Sequence, residues 1–457
     1  MINYRKYNPV RCLSLPGKLL VKTLRSLYGI RKLTGLPKWE TPIPSHHEDP
    51  LKMTFAEKLY LGYKYYYKGM VKAEPGAGLE DYFKNQTLQP AVPADFKVQE
   101  TITLSAGGDL IPYACITPEN CHQLWNEAGD FFFNNDIVFA NLETVADLSK
   151  PYSAAPEVML HDMFFNIHEE SFQIFSGNGK YKGYDVLSTA NNHTMDVGET
   201  GIVATQHFLQ SKKIEFTGTA SSKETRDDFP IIERKGIRIA FIAYTYSLNK
   251  ETLPAGKEWL CNHLNLNEPN ADISLIIHHA TLARGRGADI IVASLHMGCA
   301  YQAYPSKFTV DNMHRICREA GVDILLGGHP HNMQPMEIFE TNLTNEGLSR
   351  QHFIVYSLGD FIAYDIFKWC HLPMLLRLHI SKGTINGKPH TIVSRIDAKP
   401  FYMYQNKNEE LKLVDFIKAS KNPSLYFAEK TILKEIEELS DFFNRFIINE
   451  KQQNILA

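Results

Sequence analysis

From residue 97 to residue 380 the chain alternates short apolar runs with segments of helical period, and six of the eight runs end in a glycine or polar cluster. The runs occupy 100–106, 136–140, 185–189, 237–244, 289–295, 323–326, 353–357 and 373–380. Helical segments are expected near 118–134, 198–211, 270–284 and 306–320. Runs of four to eight apolar residues suit buried strands. Their alternation with helices predicts an α/β fold: sheets with helices on their faces.

Ligands of open α/β sheets bind beyond the carboxyl ends of the strands, so the residues that follow each run matter most. The first run delivers Gly107-Gly-Asp109, and the second Asn141-Leu-Glu143. The third delivers Asn191-Asn-His193, then Asp196 and Gly198. The fifth gives His296-Met-Gly298, the sixth Gly328-His329-Pro-His331, and the seventh Ser357-Leu-Gly-Asp360. Proline fixes one φ angle between the paired imidazoles, and neutral imidazole is a common ligand of transition metals. Two carboxylates, an amide and three or four imidazoles are too many for one zinc site. They suit two cations about 3.5–4 Å apart that share a carboxylate. Imidazole favours Mn, Fe or Zn over Mg, and an amide oxygen ligates without adding negative charge.

These motifs, in this order over roughly 100–365, resemble the CapA family, the poly-γ-glutamate capsule-synthesis branch of the calcineurin-like metallophosphoesterases. The resemblance implies a sandwich of two mixed sheets flanked by helices. It implies metal ligation by Asp109, Glu143 (bridging), Asn192, His296, His329 and His331, with two divalent ions as cofactors. It implies His193 as the catalytic histidine, and Asp196, three residues on, is placed to orient it. Asn141 competes with Glu143 for the inward position. Three departures bear on the substrate side. The acid that the family carries before the tyrosine is missing from His296-Met-Gly-Cys-Ala300-Tyr301. Asp360 stands in place of asparagine, as a substrate-facing acid or a cap. Segment 145–183, with His161 and His168, has little resemblance to the usual insert. The other histidines, His46-His47 and His278-His279 among them, read as structural or surface groups.

The expected function is a metal-dependent hydrolase of a phosphoester or of a γ-glutamyl or peptide-type polymer, linked to capsule or poly-γ-glutamate metabolism. The alternatives are a non-hydrolytic peptide-modifying enzyme such as an epimerase, and a binding component of a polymer synthesis or export complex. The substrate is thus a small molecule or a polymer, and no nucleic acid is expected. The sequence is silent on oligomeric state.

The flanks divide the chain into a basic helical extension and linker (1–96), the CapA-like domain (97–400) and a helical C-terminal extension (401–457). Residues 1–75 hold 14 Lys and Arg against five Asp and Glu, in a chain whose net charge is −3. Leu20, Leu24, Leu27, Ile30 and Leu33 recur at helical spacing among Lys18, Lys22, Arg25 and Lys32. Such a helix packs on the domain with its lysines in water, which is the preferred reading, or lies on an anionic membrane surface. Thr54-Phe-Ala-Glu57 is a capping box opening a second helix with Leu59, Tyr63, Tyr66, Tyr67 and Met70 as its packing face. In the C-terminal extension Leu433, Ile436, Leu439, Phe443 and Phe446 form one stripe. No apolar run is long enough to span a membrane, and the start does not read as a secretory signal. Seven scattered cysteines without a C-x-x-C suit reduced thiols. A cytoplasmic location is therefore expected, and peripheral contact to the inner membrane face only on the alternative reading of the basic helix.

Overall fold

The computed structural model describes residues 14–30, 39–44, 47–156, 158, 163–342 and 349–457. Cys12, Lys32, Leu33, His46 and His161 lie outside them. Two mixed sheets form the body, as the sequence pattern requires. The strands, in chain order, are β1 Lys97–Leu110, β2 Ile137–Leu142, β3 Val186–Ser188, β4 Glu215–Thr217, β5 Ile231–Arg234, β6 Ile237–Thr245, β7 Ile290–His296, β8 Ile324–Gly328, β9 Met336–Asn342, β10 Ser349–Val355, β11 Asp360–Ile362, β12 Met374–Ile385, β13 Lys388–Gln405 and β14 Leu411–Asp415. One sheet has the order β14-β13-β12-β1-β2-β3-β4, with β11 added beside the end of β1. The other has the order β5-β6-β7-β8-β10-β9. Within them β1 to β4 run parallel, as do β6, β7, β8 and β10, and the antiparallel strands stand toward the edges. The sheets face each other through rings such as Phe139 of β2, stacked on Phe241 of β6 with centroids 5.7 Å apart. Strands β2, β7 and β8 are buried throughout, which explains their unbroken apolar runs.

The helices are α1 Leu15–Gly29, α2 Phe55–Tyr66, α3 Leu79–Lys84, α4 Pro118–Cys121, α5 Gly129–Phe133, α6 Glu169–Phe175, α7 Gly198–Ser211, α8 Ser274–Gly285, α9 Lys307–Arg315, α10 Phe416–Lys421, α11 Pro423–Tyr426 and α12 Lys430–Phe442. The helix expected near 118–134 is two short ones. Its aromatic residues Trp125, Phe131, Phe132 and Phe133 are all buried, and three successive rings cannot share one helical face. Helix α6 forms inside segment 145–183, where no element was expected. The boundary drawn at residue 400 falls inside β13, which pairs with β14 over Phe401 to Gln405, so the first sheet runs on into the C-terminal segment. Beyond it, α12 is clamped by His371 to Glu435 at 2.6 Å and Lys368 to Glu438 at 2.5 Å, both pairs buried.

Helix α1 packs on the rest of the protein with Lys18 and Lys22 exposed, as preferred, but not by the expected row. It meets α2 through Val21 and Tyr28, whose hydroxyl donates to the Leu59 carbonyl at 3.2 Å. The row built from Leu20, Leu27 and Ile30 is instead exposed, and Leu15 and Leu19 are 71% and 56% exposed. Buried Val21 and Tyr28 are seven residues apart, on a face rotated about 100° from Leu20 and Leu27. No helix among the described residues is long and apolar enough to cross a membrane. The six described cysteines are free and buried.

Candidate metal centre

Each ligand-type residue reaches the site because a strand ends or bends there. In β1 the pairing register shifts between Ala106 and Asp109, at Gly107 and Gly108. A Cβ on Gly108 would stand 1.8 Å from the Gly359 carbonyl, so only glycine lets β1 approach the β11 side. A Cβ on Gly328 would lie 2.7 Å from Asp109 Oδ1, so this glycine leaves the space that the carboxylate fills. After it, His329 and His331 hold φ of 92° and 62°. These left-handed conformations are strained for histidine and persist where the surroundings impose them.

Asp109, Glu143 and His296 offer ligand atoms that all lie within 4.8 Å of one another, and so do Asp109, His331 and Asp360. Asp109 is common to both groups. All five residues sit at strand ends of the two facing sheets, and four of them are wholly buried. Asn141 and Glu143 share the inward face of β2: Asn141 Nδ2 donates to Asp109 Oδ1 at 2.8 Å and leaves the ligand position to Glu143. Asn192 Oδ1 lies 2.8 Å from His296 Nε2, and its amide nitrogen donates to Asn249 Oδ1 at 3.0 Å. His193 Nδ1 lies 2.7 Å from Asp196 Oδ2, which also accepts from the Phe165 backbone at 2.5 Å. The His193 ring stacks on Phe165, and its Nε2 points toward Glu143 at 3.9 Å.

Two residues depart from their expected places. Asp360 opens β11, is buried and pairs with His331 Nδ1 at 2.9 Å, so it is not a helix cap and stands among the candidate ligands. His329 is beside the cluster, with its ring 5.2 Å from that of His296, yet it joins neither ligand group. Its Nε2 is 3.0 Å from the Tyr246 hydroxyl and 3.7 Å from Glu48 Oε2. That leaves Nδ1 as its only atom available to a cation.

Glu48 is the residue that sequence reasoning missed. It belongs to the N-terminal extension, but its carboxylate accepts from the Ala300 backbone at 2.7 Å and forms a fully buried ion pair with Lys64 of α2. Lys64 also donates to the Ala300 carbonyl at 2.8 Å. A carboxylate from residue 48 thus bonds to the backbone of Ala300, in the stretch after His296-Met-Gly298 that carries no acid of its own. The signal that could have found it is Lys64 itself, a charge on the aromatic stripe of an amphipathic helix.

The charge balance of the cluster calls for cations. Both carboxylate oxygens of Glu143 and Nδ1 of His329 are buried with no hydrogen-bond partner. A buried anion without partner or proton costs several kcal/mol. Without a cation, burial and the neighbouring Asp109 raise the Glu143 carboxyl well above the usual range. Burial also lowers His296 and His329. Burial acts to lower His331 too, but the Asp360 carboxylate beside it, with Glu143 and Asp109, pushes it up to about 10. Burial pushes Asp360 up to about 6 despite His331. Crowded buried carboxylates, beside the neutral imidazoles of His296 and His329 and an amide oxygen, fit divalent metal ions.

Residues 97–365 match the family described as bacterial capsule synthesis protein PGA_cap. The chain is 24% identical over 315 residues to the PGA biosynthesis protein CapA of Bacillus subtilis, covering 68% of this chain and 70% of that one. It is 22% identical over 341 residues to the capsule biosynthesis protein CapA of Bacillus anthracis, covering 71% and 77%. Among solved structures, the calcineurin-like phosphoesterase YfkN from Bacillus subtilis aligns at 12% identity over 74% of this chain and 99% of that chain, with a TM-score of 0.36. So loose a superposition carries no argument, and the fold stands on the sheet topology above.

Proposed function

The chain belongs to the bacterial capsule synthesis protein family, and from that premise we propose that it is a metal-dependent hydrolase of phosphoesters. The observation that carries this reading is the pair of ligand groups joined at Asp109, with the unpartnered Glu143 carboxylate buried between the sheets. Asp109, Glu143, His296 and Asn192 would hold one ion, with Asp109, His331 and Asp360 at the other. His329 would reach the pair through Nδ1. Bound there, Mn, Fe or Zn supplies charge for phosphoryl oxygens and lowers the pKa of water.

The chain's own groups then divide the work. Asp196 holds the imidazole of His193 by Nδ1, which leaves Nε2 free to carry the proton for the leaving oxygen. Phe165 stacked on the ring keeps it from swinging and keeps bulk water from that side. Asn141 holds Asp109 in register with the cluster. The Bacillus relatives are named for PGA and capsule biosynthesis, which supports a second reading in which the site acts on a γ-glutamyl amide of a capsule polymer. The cleft beside the centre argues against a polyanion, because Lys58 and the buried imidazoles are the only basic groups among its described lining residues.

Elemental analysis of protein purified without chelator tests the centre. The expected result is up to two transition metals per chain, lowered by Asp109→Ala, and turnover of a generic phosphoester. Protein that binds no divalent cation after Mn or Zn is supplied refutes it. Turnover of γ-glutamyl peptides, followed by product mass, with none of phosphoesters would transfer the site to the second reading.

A further inference from the structure

The cleft that opens from the metal centre has a volume of about 450 Å3. That is within the range of about 300–1,000 Å3 of small-molecule sites. Its floor is polar: Asn192, His193, His329 and His331. Its walls are not. Leu24 of α1, Leu61 of α2, Met53, Ile111, Met163 and Phe165 line it. Glu48, the one acid among its described lining residues, is paired with Lys64.

We propose that the substrate carries an apolar chain next to its reacting phosphoester, and that this chain lies between the strand ends and helices α1 and α2. The identity of the reacting group rests on the phosphoester reading above; the apolar chain does not. Apolar walls above a polar floor suit an amphiphile whose headgroup meets the metals. The apolar surface also continues outward. Leu20 and Leu27 flank Leu24 at helical spacing and are 36% and 46% exposed, so a chain longer than the cleft still has apolar surface to follow. Exposed Lys18 and Lys22 lie on the same helix. In the reaction the oxygen of water bonds to phosphorus, and the bond from phosphorus to the alkyl oxygen breaks with its electron pair on that oxygen. His193 gives the oxygen its proton, and water's second proton returns to the histidine. The products are an apolar alcohol and inorganic phosphate.

The test uses the full-length protein loaded with Mn(II) and two ligand series, kept below their aggregation concentrations. One is methyl, butyl and octyl phosphate; the other is the matching alkylphosphonates, which bind but cannot be hydrolysed. Calorimetric Kd for the phosphonates should fall by about fourfold per methylene over the portion that fits the cleft. From methyl to octyl the gain should reach at least roughly a hundredfold, with kcat/KM of the phosphates rising in parallel. Leu24→Glu and, independently, Met53→Glu should flatten the slope. Equal Kd for methyl and octyl phosphonate overturns the proposal, and so does a slope unchanged in both variants. If phosphonate affinity rises with length while no phosphate is hydrolysed, the apolar cleft stands and the phosphoester reading falls. Should either variant fail to fold, the unsubstituted protein still decides by its slope.

Discussion

One wall of the cleft is made by the segments that follow β1, β3, β7 and β8, and the other by α1, α2 and the segment around Glu48. The first wall is held by backbone. Asp109, Glu143, His296, His329 and His331 each stand at, or within three residues of, the end of a strand, and Asn192 four residues past β3, with glycines at 107, 108, 327 and 328 where strands crowd. The second wall is held by side chains: the Glu48–Lys64 pair, the Tyr246 hydroxyl that donates to the Glu48 carbonyl at 3.1 Å, and Tyr65 with Tyr113 on Asp365. A backbone-held wall tolerates the loss of one side chain and loses only that chemistry. A wall held by a buried ion pair loses position when either partner goes.

The largest test of that contrast is His193→Ala. On the backbone-held wall it should leave metal content and melting temperature near their starting values and lower turnover by roughly 10²–10⁴, the range of a positioned proton donor. Equal metal loss in His193→Ala and His331→Ala, read by elemental analysis, would show that His193 is a ligand. On the other wall Glu48→Ala should do the reverse. It leaves Lys64 buried and uncompensated, which destabilises the protein by about 3–5 kcal/mol in denaturant unfolding. It also removes one of the two groups that His329 Nε2 faces, leaving the Tyr246 hydroxyl, and loss of a partner that orients a ligand typically weakens metal binding by about 10–100-fold. Glu268→Ala, which removes the half-exposed partner of Lys52, should change stability by less than about 1 kcal/mol.

The same contrast explains what the sequence made legible. Asp109, Glu143, His296, His329 and His331 each follow an apolar run closely, so finding the strand end finds the residue. Parity does the rest: Asn141 and Glu143, two apart, had to share a face. Glu48 and Lys64 follow no strand, and their partner Ala300 is more than 230 residues away, so the charge of Lys64 on an aromatic stripe marks a buried pair without saying where its partners lie. Pairing of Asp360 with His331 was hidden in the same way. In the fold, β13 was lost because Pro389 and Pro400 break what otherwise reads as a strand. Pro400 is tolerated opposite Met374, near the end of the β12 ladder. The outward row of α1 was misjudged because periodicity gives a stripe and not the side on which a partner lies.

Acidification should separate the walls again, now by a smaller effect. His331 is held up to about 10 by Asp360, Glu143 and Asp109, so in the metal-free protein it carries a proton at neutral pH. A cation needs the neutral imidazole and must displace that proton. Asp360, up to about 6, is already ionised above that pH. Between about pH 6 and pH 10, metal affinity should therefore rise by about tenfold per unit, one proton being released per ion at that position. Calorimetry in buffers of different ionisation enthalpy reads the number released. A pH-independent affinity would place the metals away from His331. Glu48→Gln should leave this slope unchanged, since it lies on the other wall.

The smallest expected effect belongs to the outer face of α1. Leu15, Leu19, Leu20, Leu27 and Ile30 are exposed beside Lys18 and Lys22, and residues 1–75 carry nine excess positive charges. We propose that this face rests reversibly on an anionic lipid surface, where its charge is complementary and its leucines are covered. Each lysine near such a surface contributes about 1 kcal/mol, and salt screens it within a Debye length of about 8–10 Å. The full chain should co-sediment with phosphatidylserine vesicles at low salt and be released at high salt. Leu19→Asp with Leu27→Asp should reduce the bound fraction without shifting the melting temperature, because neither residue packs in the core. A melting temperature that falls in that double variant, with no vesicle binding in the parent, would mean that the row is covered by protein and that the second wall extends further than Glu48 and Lys64.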